Sequence, residues 1–493
     1  MLRTLNLQRN LLRQFSQPRI IPSAPRPSYS LGVRYIHNGT SQPPLTRPQQ
    51  PIEAPNPTLQ THPLSILPLS TVVRSLFVTR VSSTPYLLKP SLAALSYLSE
   101  AKSPFLDPDQ NSGLKYVLSK TIYSQFCGGE TPEEVKQSVQ DLKDLGYSGV
   151  ILGYAREAVM GDEEAAEISS SAELDTVSGS EYDKQLSAWR DGTLQTVGIA
   201  GEGDFVNVKF TGAGEQTLKH LLKGIPPAPS LQRAIDDICQ AAKDRGVRLL
   251  IDAEQQAIQS SIDAWSLDLQ SRYNRREEGH AVVYGTYQAY LRSTPETLAR
   301  HLATAREKGF ILGVKLVRGA YLGSDPRHLM WEHKTETDAT YDGIAESLIR
   351  RKYGNILRPH QENPSSNQFP EINLVLATHN RASVKRARAI RNEQVHNGDS
   401  MINMAYGQLL GMADDISCDL VHEGRTNRDG LLMDVNREIP RAYKALVWGT
   451  VGECTKYLLR RAQENQDAAS RTEDTRKAMA SELGRRFLQS TVS

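Results

Sequence analysis

Residues 311–322 read ILGVKLVRGAYL. An apolar run of strand length, 311–317, stops in polar, chemically competent residues, Arg318 and Tyr321. Seven more runs of this kind lie on either side: GVILGY (149–154), FVNVKF (205–210), VRLLIDAE (247–254), AVVYGTYQAY (281–290), INLVLATHN (372–380), MINMAYGQLL (401–410) and AYKALVW (442–448). Helical segments separate them, and alternation of strand and helix is the pattern of a parallel sheet. Eight such units are what a (β/α)8 barrel requires, and the chain length suits one. A doubly wound sheet would carry a glycine fingerprint after its first strand; GEGDF and GAGEQ lack the third glycine.

The ends of these runs predict a site. The second ends at Lys209, the third at Asp252 and Glu254, and the fourth reaches Gln288. The fifth reaches Arg318 and Tyr321, and the sixth ends in Thr378, His379 and Asn380. One polar end is ordinary, because strands meet loops. Five in succession converge, in a barrel, on the face where active sites form.

Of 493 residues, 39% are hydrophobic and 23% charged, ample for a soluble globular core. The net charge of +2 conceals an asymmetry: Arg3, Arg9, Arg13, Arg19, Arg26, Arg34 and Arg47 precede any lysine, and Glu53 is the first acid. The remainder is mildly acidic, so no nucleic-acid partner is expected. In MLRTLNLQRNLLRQF, Leu5, Leu12 and Phe15 gather on one side of an arginine-rich helix, the composition of a mitochondrial transit peptide. We read 1–40 as that peptide, cut near GVRYIHN (32–38), and 41–63 as a proline-rich linker. An N-terminal helical region (64–145), the barrel (146–466) and a polar, helix-prone C-terminal tail (467–493) follow. Stretches 161–181 and 358–371 read as surface insertions. The four cysteines form no CxxC pair, so neither a disulfide framework nor a metal site is expected. No apolar run is long enough to span a membrane, and 64–81, broken by Pro68, Arg74 and Arg80, reads as a packed or surface-lying helix.

Five blocks carry a family resemblance: LLIDAEQ (249–255), GVKLVRGAYL (313–322), ATHN (377–380), GQLLGMADDIS (407–417) and YLLRRAQEN (457–465). In this order, over about Lys115 to Asn465, they resemble the signature blocks of proline dehydrogenase, the flavin-dependent mitochondrial enzyme of proline catabolism. The resemblance implies a distorted (β/α)8 barrel, TIM-like, with the last helix over its mouth. It implies noncovalent FAD, oxidation of L-proline to Δ1-pyrroline-5-carboxylate on the way to glutamate, and electron delivery to ubiquinone. The place implied is the matrix side of the mitochondrial inner membrane, by peripheral association.

It also implies residue roles. Lys209, Asp252 and Lys315 form the catalytic group. A carboxylate closing an apolar strand is costly to bury unpaired, and a Lys209–Asp252 pair would satisfy both. Lys209 also meets the substrate carboxylate, which Arg460 and Arg461 clamp. Tyr321, Leu409, Ala445 and Tyr457 wall the proline ring. Gln288, Lys315, Arg318, Gly319, Ala320, Thr378, His379 and Glu464 contact the cofactor. Lys315 keeps the charge of the arginine common in bacterial relatives but loses its planar fork. Glycine at 319 lets backbone approach phosphate oxygens. No residue stands out as a general base.

One position departs from the family. Proline-specific members commonly carry tyrosine where this chain has Ala445, and members selective for hydroxyproline carry a small residue. Tyr443 could substitute only by a shift of about 6–7 Å along the strand. Hydroxyproline oxidation or a broadened specificity therefore stands beside proline oxidation, with a catalytically inactive barrel of binding role as a third reading.

Overall fold

The computed structural model describes residues 62–100, 103, 105–155, 179–323, 325–360, 368–428, 437–464 and 469–492. The expected transit peptide, the linker up to residue 61, and the body of each expected insertion lie outside the described residues.

All eight apolar runs form strands: β1 (Gly149–Tyr154), β2 (Phe205–Val208), β3 (Arg248–Ile251), β4 (Val283–Gln288), β5 (Leu312–Val317), β6 (Ile372–Ala377), β7 (Asn403–Leu409) and β8 (Ala442–Trp448). They pair in parallel in chain order, and β8 closes on β1 from Gly149↔Tyr443 to Tyr154↔Trp448. The closed ring excludes the doubly wound alternative. Outward residues such as Val314 and Leu316 join the layer under the surrounding helices. Inward residues fill the barrel, where Phe205 packs edge-on against Tyr284 and Tyr443 at 5.6 and 5.1 Å. The interior is thus plugged, which leaves the C-terminal ends of the strands as the available cavity.

Helices at both ends of the described chain roof that end. Leu69–Ser82 starts directly after Pro68 and is followed by Pro85–Glu100. Pro85–Glu100 packs on Val451–Glu464, the helix after β8, while Leu69–Ser82 packs on Ala469–Val492. The segment read as a polar tail is therefore a docked helix. Its Met479 is fully buried with Leu64, Leu67, Val72 and Cys418, worth about 1.5–3 kcal/mol for a side chain of this size. Buried Glu482 accepts from Arg485 and Arg486, and Arg486 Nη2 donates to the carbonyls of Leu64 (3.1 Å) and Leu67 (2.8 Å). All four cysteines are buried and free. Cys127 and Cys454, remote in sequence, hydrogen-bond each other; that bond and burial push the Cys127 thiol up.

Candidate active site

Asp252 follows β3 and sits between two lysines. Lys315, inward-facing on β5, places Nζ 2.6 Å from Asp252 Oδ1, and Lys209, at the end of β2, places Nζ 3.3 Å from Oδ2. Lys315 also donates to Asn207 Oδ1 at 3.2 Å. The three charged side chains are only 12–16% exposed. Burial alone would raise the Asp252 carboxyl, but the charges and hydrogen bonds of Lys315 and Lys209 outweigh it and hold the group below its ordinary value.

Lys209, Asp252 and Asn207 line a cavity of about 430 Å³. Leu409 and Ala445, paired in register at the ends of β7 and β8, form one wall. Tyr457 and Arg461 close it from the Val451–Glu464 helix, so the last helix of the barrel lies over the mouth. The Arg461 guanidinium stands 5.5 Å from the Tyr457 ring and 5.8 Å from the Tyr321 ring, cation–π contacts that fix its position. Arg461 is among the lining residues; neighbouring Arg460, half-buried, is not. The Glu464 side chain lies outside the described residues.

A second cluster occupies the ends of β4, β5 and β6. Arg318 donates to Asp338 (2.9 Å), Thr378 Oγ1 (2.6 Å) and Ser383 Oγ (2.9 Å), and stacks over Tyr341 at 4.2 Å. Its guanidinium is rigid, and so is the turn that follows. Gly319 has φ +144°, and a Cβ there would fall 2.0 Å from the Tyr290 ring. Ala320 N–H donates to Gln288 Oε1 at 3.2 Å, whereas buried Gln288 Nε2 has no partner among the described residues. His379 Nε2 accepts from Leu409 N–H at 3.1 Å, tying this cluster to the cavity wall.

Tyr443 does not take the place of a larger residue at 445. Its ring is buried one layer deeper in the barrel, and its hydroxyl donates to the Gly203 carbonyl at 3.2 Å. At the cavity, β8 therefore presents only the Ala445 methyl group.

Two contributors escaped the sequence reading. Asn207 lies two residues before Lys209, on the same side of the strand by the period of two, and that spacing was legible. Lys444 points away from the cavity, fully buried, and donates to Asp414 Oδ1 (2.6 Å) and to the carbonyls of Met412 (2.9 Å) and Leu409 (3.3 Å). It secures the loop that carries the cavity wall; a lysine inside an apolar run was the available signal.

A closed parallel barrel with half-buried ion pairs at the C-terminal strand ends, covered by its last helix, is an enzyme of the (β/α)8 class. A family model described as "Proline dehydrogenase" matches residues 135–474. The chain belongs to the proline dehydrogenase family, a family of oxidoreductases. It is 28% identical to "Probable proline dehydrogenase, mitochondrial" of Schizosaccharomyces pombe, over 85% of this chain and 89% of that one. It is 30% identical to "Hydroxyproline dehydrogenase" of Rattus norvegicus, over 85% of this chain and 92% of that one. The crystal structure of proline utilization A from Bdellovibrio bacteriovorus superposes with a TM-score of 0.53 at 16% identity, over 80% of this chain and 38% of that chain, a likeness of fold.

Proposed function

We propose that the chain oxidises L-proline to Δ1-pyrroline-5-carboxylate with bound FAD, as the first step of proline catabolism to glutamate. Electrons then pass to ubiquinone on the matrix side of the mitochondrial inner membrane, which the protein meets peripherally. The observation that carries this reading is the Lys209–Asp252–Lys315 group, of which Lys209 and Asp252 line one cavity together with Arg461.

Residues of the second cluster fit the cofactor. Gln288 Nε2 is a buried donor with no partner among the described residues, and Gly319 provides backbone without a side chain beside a fixed guanidinium. Gln288, Lys315, Arg318, Gly319, Ala320, Thr378, His379 and Glu464 are the residues we assign to hold FAD, which supplies the hydride acceptor when bound.

Lys209 and Arg461 hold the substrate carboxylate, and Arg460 adds positive charge from the adjacent position. Tyr321, Leu409, Ala445 and Tyr457 confine the ring, so the C–H next to nitrogen is presented in one orientation. Asp252 keeps both lysines charged and placed. Because its carboxyl is held below the ordinary range, it is a poor proton acceptor and acts by position. Anaerobic addition of L-proline to the purified yellow protein should bleach the flavin band; a band that persists supports the inactive-barrel reading.

A second reading rests on Ala445. A methyl group on β8, with Tyr443 engaged elsewhere, leaves room for a ring hydroxyl. The similarity to a hydroxyproline dehydrogenase agrees with it. Turnover of trans-4-hydroxy-L-proline comparable to that of L-proline supports broadened specificity, and strong rejection restricts the enzyme to proline.

A further inference from the structure

The cavity does not end where the amino acid would sit. Its volume falls within the range of sites for drug-sized ligands, about 300–1,000 Å³, more than a single five-membered ring fills. From Lys209, Asp252 and Ala445 it continues between the two N-terminal helices. There its walls are Phe77, Val78 and Val81 of Leu69–Ser82, and Leu88, Leu92 and Leu95 of Pro85–Glu100. Leu88, Leu92 and Leu95 recur at i, i+4 and i+7, so one face of that helix is committed to the passage. A zwitterionic substrate has no use for this sleeve. The cofactor does not account for it either: the strand-end cluster at Gln288, Arg318, Gly319 and Thr378 lies on β4–β6, while the cavity runs along β7, β8 and β1–β3.

The sleeve opens onto an apolar collar. Phe77 lines it and is still 60% exposed, and Leu69 and Val73, at i−8 and i−4 on the same helix, are about half exposed. From residue 69 to 99 the sequence has Arg74, Arg80 and Lys89 but no acid. An apolar stripe in an acid-free basic segment suits an anionic lipid surface.

We infer that the sleeve binds the electron acceptor, a lipophilic quinone whose isoprenoid tail lies against these two helices and whose ring points toward the barrel mouth. This rests on the oxidase reading above. Across the whole reaction the proline ring loses two electrons and two protons, one hydrogen from carbon and one from nitrogen, as the C=N bond forms. The quinone gains two electrons and two protons and leaves as the hydroquinone. A pyridine nucleotide would need cations for its pyrophosphate, and the sleeve residues of both helices are uncharged, hydrocarbon apart from Ser82 and Ser91. Entry from a bilayer through the collar keeps the tail out of water throughout.

The test uses the full FAD-loaded chain and a Leu92→Gln variant. Turnover is measured with a decyl-tailed benzoquinone and with its tail-less parent, and flavin reduction by L-proline is followed anaerobically. The expected result is a KM for the tailed quinone raised about tenfold, with the tail-less quinone and flavin reduction changed less than about twofold. An equal loss for both quinones, or no change for either, overturns the inference. Should the variant not fold, photolabelling of the wild-type chain with an azido decylquinone decides: adducts within 77–95 support the sleeve, and adducts elsewhere refute it. Absence of bleaching by proline would count against the oxidase reading alone, because the labelling pattern is read independently of turnover.

Discussion

Lys315 reaches Asp252 across an intervening strand: its Nζ stands 2.6 Å from Oδ1, although β3 and β5 are separated by β4. The bond therefore depends on barrel closure and curvature, and it sets the charge state of the cavity floor. Asp252→Asn keeps the shape and removes the anion that two half-buried lysines share. A hydrogen bond to a charged group is worth about 1.5–3 kcal/mol, so flavin reduction by proline should slow about ten- to a hundredfold. Stopped-flow absorbance at the flavin band measures it, and an unchanged rate would remove Asp252 from the positioning role.

Ala445→Tyr places a phenol ring where the wall now has a methyl group, in register with Leu409. Loss of a cavity contact or a clash of this size is worth about 1–3 kcal/mol, so the kcat/KM ratio of hydroxyproline to proline should fall about tenfold or more. Parallel steady-state assays of the two substrates give the ratio directly.

Gly319→Ala puts a methyl group 2.0 Å from the Tyr290 ring at a φ of +144° that side chains disfavour. Tyr290 cannot yield freely, because its hydroxyl donates to Asp325 Oδ2 at 2.7 Å. The variant should lose about 1–3 kcal/mol of stability, read as a lowered Tm, and retain less flavin after gel filtration.

The stability of the β4 region should respond to pH in two opposing ways. Burial pushes His301, which bonds Tyr287 at 2.8 Å, down from 6.5 to about 4. Burial also pushes Asp263 up from 3.8 to about 6. Between 6.5 and about 4 the unfolded chain holds a proton on His301 that the folded chain lacks, so acidification costs stability. Between about 6 and 3.8 the folded chain holds one on Asp263 that the unfolded chain lacks, so acidification adds stability. His301→Gln removes only the first effect. Its Tm relative to wild type should stay constant at neutral pH and above, then rise as pH falls from 6.5 toward about 4. A flat difference throughout would show that His301 titrates normally.

All eight strands were legible because each is a short apolar run set between helical segments, and parallel barrel strands leave that trace independently of their neighbours. Lys209, Asp252, Lys315 and Arg318 were legible for the same reason, as charges interrupting such runs. The cavity's enclosure was not. Val78, Val81, Leu88 and Leu92 occupy the apolar positions of ordinary amphipathic helices, and only the docking of Leu69–Ser82 on Ala469–Val492 and of Pro85–Glu100 on Val451–Glu464 gives them a cavity to line. Met479 was hidden similarly, by a segment whose polar composition outweighs one buried face. Tyr443 and Ala445 are two residues apart and face the same way, so which of them meets the cavity depended on the depth at which the barrel interior ends.

The clasp between Leu69–Ser82 and Ala469–Val492 has a consequence for timing. During synthesis the barrel strands are all present once Trp448 has been added, yet the first helix of the enclosure still lacks its support. A nascent chain thus carries the charged strand ends before the helices around the cavity are braced. The Ala469–Val492 helix follows every barrel strand in the chain, so a chain stopped before it lacks the support on which the first helix of the enclosure packs.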